Sequence, residues 1–124
     1  MTELKGLEKI NSESADNIRE IAEALVEKVN PLKIILFGSF AKGSYTQDSD
    51  YDFYIIIDDS RNVNEATKDA YRASINVKKR PVDIVVGTNS RFELKSKASY
   101  TQMVEREVEQ HGILLYDHAA TPIH

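Results

Sequence analysis

The chain has 124 residues, room for one hydrophobic core, so a single domain spanning 1–124 is expected. Apolar residues make up 41% and charged residues 29%, which excludes a disordered chain on composition. The formal charge of −4 leaves no basic surplus for coating DNA or RNA, and the lack of cysteine excludes disulfide frameworks, thiolate metal sites and cysteine nucleophiles.

The opening run Met1-Thr2-Glu3-Leu4-Lys5 has no apolar leader. Runs such as Ile55-Ile56-Ile57 are strand-sized, far below the ~18 residues that span a bilayer, and a cytoplasmic protein with no membrane partner is expected. Ile18, Ala22, Leu25 and Val29 recur at helical spacing and predict a helix over 12–29, capped by Ser12 or Ser14 and stopped by Asn30-Pro31. Lys33-Ile34-Ile35-Leu36-Phe37 reads as a buried strand that ends abruptly at Gly38-Ser39. Residues 42–49 are too polar for the core and read as a loop after a short helical turn. A second strand covers 52–57. Asn62 and Glu65 then resemble a capping box for a helix whose apolar face is Ala66, Ala70, Ala73 and Val77. The third strand runs 81–86 and is ended by Gly87. A final helix over 97–110, with Tyr100, Val104 and Val108 in line, closes at Gly112 and leads to the short strand Ile113-Leu114-Leu115-Tyr116. The tail 117–124 carries no pattern and is a candidate disordered end. The alternation of strands and helices predicts an α/β (α+β) fold, a mixed β-sheet of about four strands flanked by helices.

Three features of this frame carry chemistry. Gly38-Ser39 follows a strand directly; glycine lets the backbone approach a ligand closely, the following turn offers N–H groups to a phosphate, and Ser39 adds a hydroxyl. Asp50 and Asp52 are two apart at the start of a strand, so their carboxylates share a face, which is costly unless a cation lies between them. Asp83 stands alone in an apolar strand between Val82 and Ile84 and needs a partner there. If its strand lies beside that of Asp50 and Asp52, three carboxylates converge. Such a hard-oxygen cluster suits Mg²⁺, and two such ions ~3.5–4 Å apart clamp an in-line displacement at phosphorus.

The pattern Gly38-Ser39, ten residues, then Asp50-Tyr51-Asp52 resembles the signature of the polymerase-β-like nucleotidyltransferase superfamily. It is most similar to the minimal nucleotidyltransferases (MNT) that are antitoxin partners of HEPN toxins. The likeness extends through Val82-Asp83-Ile84-Val85-Val86 and the ending Val108-Glu109-Gln110-His111-Gly112-Ile113-Leu114-Leu115-Tyr116, most of the chain. The resemblance implies a nucleotidyltransferase fold and an Mg²⁺-dependent protein adenylyltransferase. Asp50 and Asp52 would ligate both metal ions, and Asp83 would complete one metal site and help activate the attacking hydroxyl. Gly38 and Ser39 would hold the triphosphate of ATP. It further implies a hetero-oligomer with a HEPN toxin, a tyrosine of which accepts AMP, making this chain a type VII-like antitoxin. One departure is Tyr51, where the family usually has a smaller aliphatic residue. Two alternatives stay open: an antitoxin that neutralises by binding alone, and a small-molecule nucleotidyltransferase of the aminoglycoside-modifying type, which would need an added helical domain.

Other candidates carry less. Gly38 and Gly43, with Ser44 next, have P-loop separation, but that motif needs lysine directly after the second glycine, and Lys42 precedes it. Taken singly, Gly-Ser is a turn, Asp-x-Asp a solvated loop, and Asp83 a partner for Lys33 or Arg80. Arg91 and Lys95, after the third strand, are secondary candidates for a triphosphate contact, and His111, His118 and His124 have no zinc-like spacing.

Overall fold

The computed structural model describes residues 6–97 and 103–120. Helix α1 is Ser12–Val29. Its cap is Asn11 rather than Ser12 or Ser14: Asn11 keeps the non-helical backbone that a cap requires, and its side-chain oxygen accepts from the Ser14 amide at 2.9 Å. Ile18, Ile21, Ala22, Leu25 and Val29 are buried along one face, and the chain leaves through Asn30 in the left-handed conformation, φ 53°.

Strand β1 (Lys33–Phe37) runs into a short helix, α2 (Gly38–Lys42). Strand β2 is Tyr51–Ile57, helix α3 is Val63–Ser74, and strand β3 is Val82–Thr88. The Asn62 cap is present, with its side chain accepting from the Glu65 amide at 2.9 Å. Ala66 and Ala70 are buried as expected, whereas Val77 lies beyond the end of α3 and packs on the core from the following turn. Beyond β3 come α4 (Asn89–Ser96), α5 (Val104–His111) and β4 (Ile113–Asp117).

The sheet order is β3-β2-β1-β4. β1 is antiparallel to both neighbours, while β2 and β3 are parallel and joined through α3, as a parallel pair requires a crossover. The sheet is therefore mixed and four-stranded with flanking helices, as the sequence predicts. α1 and α3 cover one face over Ile34, Leu36, Phe53, Ile55 and Ile84. On the other face Ile35, Phe37, Tyr54 and Ile56 pack with Phe92 of α4 and Val108 of α5.

Four expectations need correcting. Of the helix expected over 97–110, the described residues contain α5, which begins at Val104; α4 (Asn89–Ser96) lies wholly before that span and was not expected, and Tyr100 lies outside the described residues. Thr88 caps α4, accepting from the Arg91 amide at 3.3 Å. Gly87 does not end β3 but lies within it, where a Cβ would fall 2.2 Å from the Tyr54 hydroxyl. Gly112 has an ordinary φ of −70°, not the left-handed one of a helix-ending glycine. Its need is space, since a Cβ would meet Ile35 Cγ2 at 2.4 Å. Asp117, expected to begin the patternless tail, closes β4, and His118–Ala120 form a 3-10 turn.

The face covered by α4 and α5 holds one buried polar knot. The Tyr54 hydroxyl donates to the Glu105 carboxylate at 2.7 Å, and Arg91 Nε donates to the same oxygen at 3.3 Å. Glu105 is 1% exposed. Burial pushes its carboxyl upward, but the Tyr54 and Arg91 contacts outweigh that and hold it below the usual carboxylate range. Burial and Glu105 together push the Tyr54 phenol far up, so it stays a donor. The knot fixes α4 and α5 over β2.

Candidate active site

The sheet register assembles the site. Phe37, the last residue of β1, pairs with Asp52, so Gly38 emerges beside the start of β2. On the other side of β2, Asp52 pairs directly with Asp83 of β3. Alternation along the strands directs Asp52 and Asp83 to the face of Tyr54 and Val85, where α4 and α5 lie. Asp50 stands one residue before β2. Four of the five residues singled out from sequence thus have fixed places at one end of three neighbouring strands, and Ser39 follows in the first turn of α2.

Gly38 is a glycine for two reasons. Its φ is +75°, and a Cβ there would lie 2.1 Å from Asp52 Oδ2. The turn and the carboxylate are packed directly together. Burial pushes the Asp52 carboxyl up to about 6, and the negative charges of Asp83, Asp50 and Glu107 add to the rise. Burial is the larger cause, and the neighbouring acids add to it.

The surroundings of Asp83 differ from expectation. It is exposed rather than buried, because β3 is an edge strand, and its companion is another acid. Neither cation considered for it from sequence is engaged there. Lys33 pairs with Ile56 at the far end of β1, and Arg80 donates to the carbonyls of Thr46, Gln47 and Ser49 at 3.3, 2.8 and 3.0 Å. Those three bonds tie down the loop that carries Asp50. Arg80 also lies 5.2 Å over the Phe40 ring. Phe40 stacks on Tyr45 at 4.3 Å and touches Tyr51 at 5.0 Å. Tyr51, the departure from the family pattern, is 1% exposed. It fills the core beneath the α2 turn on the face opposite the acids.

Two further features escaped the sequence. Glu107 of α5 accepts from the Gly38 amide at 3.2 Å, and the same oxygen pairs with Lys42 Nζ at 3.4 Å. A cleft of about 620 Å³ is lined by Asp50 with Ser14, Ser49, Lys79 and Arg80, while Gly38, Ser39 and Lys42 are not among its walls. Arg91 is held by Glu105. Among the described residues no group of three or more acidic or histidine side chains is already drawn together as a metal cage. The donor chemistry still fits a divalent cation, since the neighbouring carboxylates are hard oxygens whose mutual repulsion a cation relieves.

A glycine turn packed against Asp52, with Asp83 paired beside it, stands at one end of a small mixed sheet. The family model for the nucleotidyltransferase domain matches residues 18–115, and the chain belongs to that family. It is 32% identical over 111 residues to "Putative protein adenylyltransferase MJ0604" of Methanocaldococcus jannaschii, covering 86% of this chain and 100% of that protein. The fold is that of the crystal structure of "a putative nucleotidyltransferase" from Sulfolobus solfataricus. There the TM-score is 0.62 at 18% identity, with 99% of this chain and 97% of the other covered. No helix among the described residues is long and apolar enough to cross a membrane.

Proposed function

We propose that this nucleotidyltransferase moves AMP from ATP to a hydroxyl group of a partner protein. The observation that carries the reading is the register, which brings Gly38, Asp52 and Asp83 to one end of three adjacent strands. The name of the Methanocaldococcus relative supports a protein as acceptor. In this reading the Gly38-Ser39 turn holds the triphosphate, and Asp50, Asp52 and Asp83 would hold two Mg²⁺ ions. Bound there, the ions would neutralise charge on the attacking and leaving oxygens.

The chain's own residues supply the rest. The acceptor oxygen attacks the α-phosphorus, its proton passes toward the Asp83 carboxylate, and the bond to the β-phosphate oxygen breaks to release pyrophosphate. The chain provides little to enclose base and acceptor, which favours a hetero-oligomer formed in the cytoplasm. By family resemblance the partner is a HEPN toxin modified on tyrosine, and this chain is its antitoxin.

The test is to incubate the protein with labelled ATP, Mg²⁺ and the product of the neighbouring gene. Label should enter the partner and neutralise it, and both effects should vanish with Asp50→Asn plus Asp52→Asn. Neutralisation that survives the double variant without label would establish the binding-only alternative, and label on antibiotics but on no protein would establish the small-molecule one.

A further inference from the structure

The Glu107 carboxylate sits in the turn that the proposed function gives to a triphosphate. One oxygen, Oε2, accepts from the Gly38 amide at 3.2 Å and pairs with Lys42 Nζ at 3.4 Å. A backbone N–H and an ammonium converging on one anionic oxygen is the arrangement that would meet a phosphoryl oxygen. The carboxylate also stands close enough to Asp52 to raise that residue's pKa, so it adds negative charge to a site already rich in it.

We infer that Glu107 is a built-in competitor for the nucleotide: it occupies the Gly38–Lys42 anion seat when no triphosphate is bound and swings out when one arrives. This inference rests on the reading of the turn as a triphosphate cradle and adds a regulating contact to it. The swing belongs to the side chain and not to the helix. Two residues earlier, Glu105 is locked to Tyr54 and Arg91, and one residue later Val108 is buried at 2% exposure. Gly112, just past the end of α5, packs against Ile35. The backbone of α5 is therefore pinned on both sides of Glu107, while the Glu107 side chain itself remains 33% exposed. A rotamer change is fast and cheap for such a residue, so the contact sets affinity and adds no slow opening step.

The size of the effect follows from the exposure of the pair. With Lys42 at 45% and Glu107 at 33%, the ion pair and its hydrogen bond together are worth about a fivefold change in affinity. Screening by salt should shrink that factor.

The experiment is calorimetric titration of Mg·ATP into the parent, Glu107→Gln and Glu109→Gln at low and high salt. Glu107→Gln keeps the shape and removes the competing charge. Glu109→Gln removes the same charge from an exposed position of the same helix that makes no contact with Gly38. Expected is about fivefold tighter binding for Glu107→Gln, less at high salt, with Glu109→Gln within about twofold of the parent. Equal or weaker binding by Glu107→Gln overturns the inference, as does an equal gain in Glu109→Gln, which would make the effect one of net charge. If neither the parent nor Glu107→Gln binds Mg·ATP while both melt cooperatively, the triphosphate reading itself fails, and the competitor role with it.

Discussion

Replacing Asp52 with asparagine should make the metal-free protein more stable, even though it removes a residue proposed for catalysis. The side chain keeps its shape and loses a charge that the fold disfavours. In the folded protein the carboxyl is pushed from 3.8 to about 6, by burial first and then by Asp83, Asp50 and Glu107. A folded pKa above the unfolded one means that the folded state binds the proton more tightly. The penalty is therefore absent below about pH 3.8, grows between 3.8 and about 6, and is complete above that. Two pH units correspond to about 3 kcal/mol. Asp52 is only half-buried, and solvent screening reduces this to about 1–2 kcal/mol. Urea unfolding at pH 4 and pH 8 measures it. The asparagine variant should match the parent at pH 4 and exceed it by about 1–2 kcal/mol at pH 8, and Mg²⁺ should close the gap by stabilising the parent alone. A gap of equal size at both pH values, or none at pH 8, would refute the idea that burial and the neighbouring acids disfavour the Asp52 charge.

Gly38→Ala should cost about 1–2 kcal/mol for the positive φ alone and, by displacing Asp52, should abolish labelling of the partner at any ATP concentration; retained labelling would separate the turn from the acids. Tyr54→Phe should leave buried Glu105 one donor short and lower stability by about 1–3 kcal/mol. Its midpoint in urea should fall while nucleotide affinity at low temperature stays near the parent's. Asn11→Ala should cost about 1 kcal/mol through the lost cap, whereas Ser12→Ala should be nearly neutral by thermal melting, and the reverse order would contradict the cap assignment.

The elements legible in the sequence were those with a local signal. α1 carries a long apolar stripe, β1 and β2 are dense apolar runs because both are interior strands, and Asn62 announces the start of α3. α4 was not legible: it has one large buried residue, Phe92, and an exposed leucine, Leu94, so no periodicity marks it. The site divides in the same way. Gly38 and the acids were readable because their spacing and the strand pattern around them are local. The adjacency of Asp83 to Asp52 stood in the sequence reading only as a condition, which the register meets, and its strand was wrongly taken as interior, since sequence does not say which strand lies at the edge. Glu107 and Glu105 were invisible because their partners lie 69 and 51 residues away. Nothing in the run Val104–His111 distinguishes them from other charges on a helix face.

The most direct test of the central claim compares ATP labelled at the α-phosphate with ATP labelled at the γ-phosphate, each incubated with the protein, Mg²⁺ and the partner. A site that transfers a nucleoside monophosphate puts the α-label on the partner, releases the γ-label in pyrophosphate, and loses both signals with Asp50→Asn plus Asp52→Asn. Incorporation of the γ-label, or α-labelling that persists in the double variant, would contradict the account.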